Sequence, residues 1–402
     1  MNRRKFLKAA GLLGLAGAAG RTWADGILTM PFDNGERTVV PYPQKRPLIR
    51  LTTRPPQLET PFGYFNEGVI TSNDAFFVRY HLAGSPPAME DLRPEKFTLA
   101  IKGNVRQPLT LSVADLKRDF EAIDLVVVNQ CSGNGRAFFQ PRVPGGQMGN
   151  GAMGNARWKG ARLRDVLNKA GVAAGAQQVI FDGLDKPLLP QTPDYVKALD
   201  LDHAMDGDVM LAYQMNGAEL PWLNGYPLRL VVPGYYGTYW IKHLHDITVV
   251  DEAFNGYWMS TAYRIPDNTC ACVDPGATPK HTVPIQRMNV RSFITNLEDG
   301  VQVPTGQVTT VKGIAFDGGY GIEQVLLSDD GGHNWRETRL GRDLGKFSFR
   351  EWSAVFTAGP PGAMQLMVRA INRIGQSQPM DALWNPSGYM RNVVETVRVK
   401  VF

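Results

Sequence analysis

The chain has 402 residues, of which 43% are hydrophobic and 10% aromatic, enough apolar material for two domains with separate cores. Its formal charge of +5 reflects 43 basic and 38 acidic residues, and five of the basic residues but none of the acidic ones lie among the first 24. The rest of the chain is therefore formally neutral and has no Lys/Arg-rich run, which argues against nucleic-acid binding.

Residues 1–24 have the pattern of an export signal. The basic start Met1-Asn-Arg-Arg-Lys-Phe-Leu-Lys8 precedes a weakly apolar Gly/Ala-rich stretch over 9–20, and a small-x-small cleavage site follows at 22–24. Paired arginines in this setting are typical of the twin-arginine route, which carries folded proteins and their cofactors. A buried Ala/Gly-rich helix is the alternative. No later apolar run is long enough to span a bilayer, so we expect a soluble exported protein.

The next part of the chain predicts an α+β fold. From residue 25 to about 61 the sequence is rich in proline, and we expect it to wrap the surface without regular elements. From 76 to about 265, short apolar runs alternate with short helical patterns. Residues 161–170 have helical spacing and end at Gly171, a C-cap signal. Strands are predicted over 97–102, 125–128, 179–181, 228–232 and 247–250.

The residue pattern of the sequence changes near residues 275–283. Turn clusters such as Asp329-Asp-Gly-Gly and Gly359-Pro-Pro-Gly now join short strands, which indicates a β-sandwich. These strands are predicted over 308–313, 324–328, 364–370 and 396–401. We therefore divide the chain into a signal peptide (1–24), a mixed α/β domain (25–280) and a β-sandwich (281–402).

The three cysteines are few for an exported protein, so we do not expect disulfides to hold the fold together. Cys270 and Cys272 are separated by one residue and fit a strained small loop, a weak binding pair or free thiols, of which we favour free thiols. The segment from Asn129 to Arg136 directly follows the predicted Val-rich strand and places Cys131 in a loop with two glycines. Arg136, five residues after Cys131, favours the thiolate. This setting allows an inert thiol, a catalytic nucleophile or a ligand for a soft metal.

Two further segments carry cations. Arg79 and His81 lie two residues apart, on one side of a predicted extended segment. Residues 224–242 predict a strand that holds Arg229, a Gly-rich loop, and then Lys242. Cations beside glycines suit an anionic ligand that bears phosphate. Each of them also fits an ordinary exposed cation.

Several other metal and cofactor motifs are missing from the sequence. It contains no His-Glu-x-x-His, no phosphate loop, no Gly-x-Gly-x-x-Gly and no Cys-x-x-Cys-His haem site. His243 and His245 share one face of a predicted strand, but no third ligand accompanies them. We therefore interpret them as core or surface histidines.

The Cys131 loop and the two cationic segments together resemble those of the sulfite oxidase family of molybdenum enzymes, particularly the bacterial periplasmic sulfite:cytochrome c oxidoreductases. The resemblance covers nearly the whole chain after the signal peptide. Residues 318–335 resemble the family's immunoglobulin-like dimerisation domain. Supporting stretches are 151–158, 181–185, 212–217 and 384–389. The resemblance implies a periplasmic enzyme that oxidises sulfite to sulfate with a molybdenum-molybdopterin cofactor.

The resemblance also implies a role for each matching residue. Cys131 matches the thiolate that ligates molybdenum beside the pterin dithiolene, Arg79 and Arg136 match the cationic substrate pocket, and Tyr263 matches the active-site tyrosine. Asn224 stands where animal enzymes have a cofactor-contacting histidine. The positions that match cofactor contacts are Phe77, Val78, Arg79, Tyr80, His81, Asp185, Asn224, Arg229, Trp240, Ile241 and Lys242.

The family's fused haem domain is missing from the sequence, so we expect no haem in this chain. The implied electron acceptor is a c-type cytochrome, either a separate carrier or a subunit, and the C-terminal domain is expected to form a homodimer or a heterodimer. Two alternatives share the fold, a sulfane dehydrogenase component and a methionine-sulfoxide reductase. A third is a non-catalytic β-sandwich binding module, which leaves Cys131 and its arginines unexplained.

Overall fold

The computed structural model describes residues 26–402, so the predicted signal peptide lies outside the described residues. Within that range most regular elements are short strands, and no helix is long and apolar enough to cross a membrane. The α-helices are α1 (Val113–Asp119), α2 (Leu163–Ala170), α3 (Leu201–Ala204) and α4 (Tyr257–Ser260).

The first five strands form an antiparallel sheet, so the expectation of an irregular segment up to residue 61 was wrong. Pro41 lies where the pairing of the second and third strands shifts register, and Pro55 lies in the turn before the fourth strand. Neither position requires a backbone N–H, so the prolines do not disrupt the sheet. The strands, in sheet order, are β1 (Ile27–Thr29), β2 (Glu36–Tyr42), β3 (Lys45–Thr52), β4 (Gln57–Glu59) and β5 (Val78–Arg79).

Two further sheets form the larger core. One has the order β11-β10-β15-β6-β7, with β6 parallel to β15 and the other pairs antiparallel. The other has the order β13-β12-β9-β8, and β14 pairs with β12. The strands are β6 (Leu99–Gly103), β7 (Leu109–Leu111), β8 (Ala122–Gln130), β9 (Met153–Arg162), β10 (Gln178–Gly183), β11 (Lys197–Asp200), β12 (Met210–Met215), β13 (Ala218–Glu219), β14 (Arg229–Val231) and β15 (Leu244–Val250).

Local sequence signals explain several of these elements. The predicted Val-rich strand is confirmed as the C-terminal half of β8, which is buried over its last five residues. The predicted helix over 161–170 is confirmed from Leu163 onward. Ala161 and Arg162 instead belong to β9, where they pair with β12. The helix ends at Gly171, whose φ of +69° is the left-handed conformation expected of a C-cap.

The C-terminal strands form two sheets that enclose a second apolar core. Their orders are β18-β20-β24-β23 and β19-β26-β25-β21-β22. Val311 and Phe356 from the first sheet pack with Leu327 and Leu366 from the second. The strands of these two sheets are β18 (Arg291–Ile294), β19 (Val301–Val303), β20 (Val308–Phe316), β21 (Ile322–Ser328), β22 (Arg336–Glu337), β23 (Arg339–Leu340), β24 (Arg350–Thr357), β25 (Gly362–Asn372) and β26 (Glu395–Val401). Before them, β16 (Arg264–Pro266) and β17 (Thr282–Pro284) form a separate two-stranded antiparallel sheet.

The larger core continues into the C-terminal region. Phe293 of β18 and Phe347 belong to the same buried cluster as Val128 of β8. The Val128 N–H also donates to the Phe347 carbonyl at 2.9 Å. The two regions therefore share apolar and backbone contacts close to the end of β8.

Cys270 and Cys272 form a disulfide bond, which corrects the preference for free thiols. Their Cα atoms are 5.1 Å apart, within the usual range for a disulfide. Ala271 between them has a φ of +50°, which turns the chain back on itself. A positive φ at alanine is uncommon, so the spacing alone does not predict the bond.

Glu59 of β4 is a buried carboxyl group that supports the loop beside the end of β8. The Gly149 N–H donates to both of its oxygens, at 2.8 and 3.1 Å. Burial raises the pKa of Glu59 from 4.5 to about 8, against the opposing effects of the Gly149 N–H and Arg37. Between these two values the unfolded chain ionises while the native carboxyl stays protonated, so stability falls as pH rises from about 4.5 to about 8.

We predict that Glu59→Gln reduces this loss of stability. The amide oxygen still accepts from Gly149 but never ionises, so the apparent Tm of the variant minus that of the wild type should increase from pH 5 to pH 8, by roughly 5 °C or more. Thermal unfolding followed by circular dichroism measures it, with the exposed Glu298→Gln as control. A Tm difference that stays constant between the two pH values contradicts the prediction.

Candidate active site

A buried cavity lies at the end of β8, where Cys131 begins the loop that follows the strand. Three stretches of chain meet there: the segment around β5, the Cys131 loop and the segment from Leu223 to Lys242. Its lining residues are Phe76, Phe77, Arg79, His81, Asn129, Cys131, Ser132, Asp185, Tyr195, Leu223, Asn224, Arg229, Gly237, Thr238, Trp240, Lys242 and Tyr263.

Cys131 is buried, and its thiol is not part of a disulfide. The hydrogen-bonded pairing of β8 with β9 ends at Gln130, and the Cys131 N–H donates to the Ala152 carbonyl at 2.9 Å. The following turn is held by Asn134, whose N–H donates to the Cys131 carbonyl at 3.0 Å. The strand and these backbone bonds fix the thiol at the wall of the cavity.

The cavity has more positive than negative side chains. Arg79, Arg229 and Lys242 line it, and Asp185 is the one carboxylate among the lining residues. Burial, and next the charge of Arg229, lower the pKa of Lys242 to about 7. The Lys242 ammonium donates to the Arg79 carbonyl at 2.8 Å. Buried cations without enough carboxylate partners favour binding of an anion.

Lys45 of β3 adds a fourth cation behind this group. Its ammonium donates to Asn224 Oδ1 at 2.6 Å, and Asn224 Nδ2 donates to the Phe77 carbonyl at 3.1 Å. Burial lowers the pKa of Lys45 to about 7. The N-terminal sheet therefore fixes the orientation of Asn224, through a lysine that the sequence analysis did not single out.

Polar atoms at the cavity wall have no partner within the described residues. These atoms are both amide atoms of Asn129, the hydroxyl of Ser132 and Nε of Arg229, and all three residues are at least 95% buried. A buried polar atom without a partner costs about 1–3 kcal/mol. The arrangement therefore suits a ligand that supplies several hydrogen-bond donors and acceptors. Gly237 brings the backbone close to this group, since a Cβ there would be 2.3 Å from Asn129 Oδ1.

Part of the cavity wall is aromatic. The imidazole of His81 stacks on Tyr195 with ring centroids 3.7 Å apart and hydrogen-bonds the hydroxyl of Tyr263. Burial and then Arg79 lower the pKa of His81 well below its usual value, so its imidazole is neutral near pH 7. Burial raises the pKa of Tyr263, so its hydroxyl keeps its proton. A cation, a neutral imidazole and a phenol therefore face the cavity near Cys131.

The structure brings ten of the predicted site residues to the cavity: Phe77, Arg79, His81, Cys131, Asp185, Asn224, Arg229, Trp240, Lys242 and Tyr263. Val78 and Tyr80 point away, because side chains alternate along an extended segment. Both pack in the core beneath the N-terminal sheet. Ile241 packs in the larger core, and Arg136 lies outside the lining.

Seven of the lining residues were not predicted from the sequence: Phe76, Asn129, Ser132, Tyr195, Leu223, Gly237 and Thr238. Asn129 and Ser132 flank Cys131, so proximity in the sequence was an available signal. Tyr195 is different, because it comes from a loop without periodicity. Only folding brings its ring beneath His81, and its hydroxyl then donates to the Thr238 carbonyl at 2.8 Å.

His243 and His245 do not form a metal pair. His243 is buried just before β15, where its ring nitrogens lie 2.7 Å from the Tyr80 hydroxyl and 2.7 Å from the Tyr226 carbonyl. His245 lies near Asp182 instead. No group of three His, Cys, Asp or Glu residues is placed to hold a metal ion between residues 26 and 402.

Comparison with known proteins identifies the class to which this site belongs. Residues 84–258 match the family described as oxidoreductase molybdopterin binding domain. Residues 282–402 match the family described as Mo-co oxidoreductase dimerisation domain. The chain is a molybdopterin oxidoreductase, and the predicted molybdopterin cofactor is confirmed.

Relatives narrow this class to a family. The chain is 32% identical to sulfite oxidase from Gallus gallus, over 87% of this chain and 77% of that protein. It is 33% identical to mitochondrial sulfite oxidase from Homo sapiens, over 89% and 67% of the two chains. Its structure resembles the sulfane dehydrogenase SoxCD from Paracoccus pantotrophus, with a TM-score of 0.73 and 25% identity over 90% and 88% of the chains. The chain belongs to the sulfite oxidase family, as its sequence predicted.

The cavity fits the cofactor of this family. A pterin ring would supply donors and acceptors for the unpartnered atoms of Asn129 and Ser132, and a phosphate would supply negative charge beside Arg229 and Lys242. A buried free thiol at the same wall is a suitable ligand for a soft metal.

We predict that Lys242→Met lowers cofactor retention. The side chain keeps its length but loses the charge in a cavity with one carboxylate, so the purified protein should contain about tenfold less molybdenum. Mass spectrometry of the metal measures it, with the exposed Lys102→Met as control. Stoichiometric molybdenum in the Lys242 variant contradicts the assigned role.

Proposed function

We propose that the protein oxidises sulfite to sulfate and passes the electrons singly to a c-type cytochrome. The observation that carries this proposal is the convergence of Arg79, His81 and Tyr263 on the cavity that Cys131 borders. Sulfite is a small dianion, and a buried cation beside a phenol and an imidazole matches its charge and its oxygens. The similarity to two sulfite oxidases supports the same substrate.

We assign the binding of the cofactor to two groups of residues. Cys131 would hold the molybdenum through its thiolate. Arg229, Lys242 and Asn224 would hold the pterin and its phosphate, with Lys45 behind Asn224. The cofactor, when bound, supplies the two-electron oxidation.

We assign the binding and orientation of the substrate to Arg79, Tyr263 and His81. Arg79 would bind the oxygens of sulfite by charge-assisted hydrogen bonds and stabilise negative charge during the reaction. Tyr263 keeps its proton because burial raises its pKa, so its hydroxyl can donate to a substrate oxygen. His81 orients that hydroxyl through their hydrogen bond. Overall, sulfite and water give sulfate, two protons and two electrons.

A second candidate on the same fold is a sulfane dehydrogenase component. The structural similarity to SoxCD, over 90% of the chain, favours it. Assays on the purified holoenzyme separate the two, with sulfite and a protein-bound sulfane as alternative substrates and cytochrome c as acceptor. Cytochrome reduction with sulfite alone supports the first proposal, and reduction with the sulfane alone supports the second.

The setting of the enzyme is also a proposal. The twin-arginine pattern in residues 1–24 supports export of the folded, cofactor-loaded protein to the periplasm. The match of residues 282–402 to a dimerisation domain supports a homodimer, or a heterodimer with a cytochrome subunit. Light scattering of the purified protein distinguishes a dimer from a monomer.

We predict that Arg79→Met raises KM for sulfite by about 10- to 100-fold, because it removes a charge-assisted hydrogen bond worth about 1.5–3 kcal/mol. Molybdenum content, measured in parallel, reports whether the variant still holds its cofactor. Arg93→Met, at an exposed position, is the matched control and should leave KM unchanged. An unchanged KM in the Arg79 variant would remove this residue from the substrate pocket.

We predict that Cys131→Ser lowers kcat more than about 100-fold, since changes to groups that merely surround a metal ligand already cost 10- to 100-fold. Steady-state cytochrome reduction measures the loss, and circular dichroism checks the fold. The double variant Cys270→Ser/Cys272→Ser, which removes the disulfide bond and leaves Cys131 unchanged, should keep the wild-type kcat. A fully active Cys131 variant would refute the assignment of the metal ligand.

A further inference from the structure

Tyr389 lies between two of the predicted catalytic residues. It belongs to the loop 373–394, which joins β25 to β26. One face of its ring stacks on Tyr263, with centroids 5.3 Å apart and the planes at 15°. The guanidinium of Arg136 lies 5.0 Å from the centroid of the same ring. The C-terminal part of the chain thus places a side chain against the aromatic wall of the active site.

The backbone of Tyr389 is held on both sides. The buried amide of Asn385 accepts from the Tyr389 N–H at 3.1 Å and donates to the Tyr389 carbonyl at 2.8 Å. The next residue, Met390, donates its N–H to the Ser132 carbonyl at 3.2 Å. The tyrosine is therefore anchored to its own loop and to the loop that carries Cys131.

Arg136 depends on the same loop. Its Nε donates to the Ser387 carbonyl at 3.1 Å, and its Nη1 donates to the Gly146 carbonyl at 3.3 Å. Arg136 is 92% buried and does not itself line the cavity. Tyr389 therefore contacts both Arg136, outside the lining, and Tyr263, which belongs to it.

We propose that Tyr389 is a positioning residue of the active site, which fixes the ring of Tyr263 and the guanidinium of Arg136 relative to Cys131. The proposal rests on the proposed function for the identity of the substrate. The positions that Tyr389 gives to Tyr263 and Arg136 do not depend on which substrate binds. Loss of both the ring stack and the cation–π contact is expected to weaken substrate binding about tenfold, which corresponds to about 1.4 kcal/mol.

The test compares Tyr389→Leu with Tyr389→Phe in the holoenzyme. Phenylalanine keeps the ring that both neighbours contact, whereas leucine removes it. We expect the leucine variant to raise KM for sulfite about tenfold while kcat changes less than about threefold. The phenylalanine variant should stay within about threefold of the wild type in both constants. Molybdenum content and thermal unfolding show that the cofactor and the fold are retained.

Tyr320→Leu, a change at an exposed tyrosine of the C-terminal region, is the control and should leave both constants unchanged. A wild-type KM in Tyr389→Leu overturns the proposal, and so does an equal rise of KM in Tyr389→Phe, because the ring would then not be the cause. Should the leucine variant fail to fold, Asn385→Ala frees the Tyr389 backbone and should raise KM in the same way, whereas an unchanged KM overturns the proposal.

A readout without turnover separates this inference from the proposed function. If the wild-type holoenzyme does not oxidise sulfite, the proposed function fails, and crystal structures of the wild type and Tyr389→Leu then decide the inference. A displaced Tyr263 ring or Arg136 guanidinium in the variant supports it. Unchanged positions of both side chains overturn it.

Discussion

Arg79, Arg229 and Lys242 share one buried cavity with a single lining carboxylate, that of Asp185. Burying cations is costly unless negative charge is supplied. The anionic cofactor of the family would supply that charge, and it would offer hydrogen-bond partners to the polar atoms at the same wall that have none within the described residues. The surrounding elements place these residues at the cavity. Cys131 follows β8, Arg79 lies in β5, and the segment from Leu223 to Lys242 contains Arg229 and Lys242.

The sequence predicted the parts of the site that depend on local pattern. A cysteine directly after a buried strand, and an arginine and a histidine two residues apart in an extended segment, reach the cavity as expected. The same alternation explains why Val78 and Tyr80 do not. Tyr195 could not be found in this way, because its position depends on tertiary packing alone. The N-terminal sheet was missed because its prolines lie where no ladder hydrogen bond is needed.

The C-terminal region is more than an appended pair of sheets. Its loop 373–394 reaches the active-site wall through Tyr389 and the Cys131 loop through Met390. Buried Arg291 of β18 joins the two regions as well, since it pairs with Glu395 at 3.0 Å and donates to Asn150 Oδ1 at 3.0 Å. Direct contacts therefore join the part of the chain that matches the dimerisation domain to the wall of the cavity and to the Cys131 loop.

We assign the Cys131 thiolate as a ligand of the molybdenum. Extended X-ray absorption fine structure at the molybdenum edge counts the sulfur atoms around the metal directly. The wild-type holoenzyme should show one sulfur more than the pterin dithiolene provides, and the Cys131→Ser variant, loaded with cofactor, should show one fewer than the wild type. An identical sulfur count in the two proteins would contradict the claim.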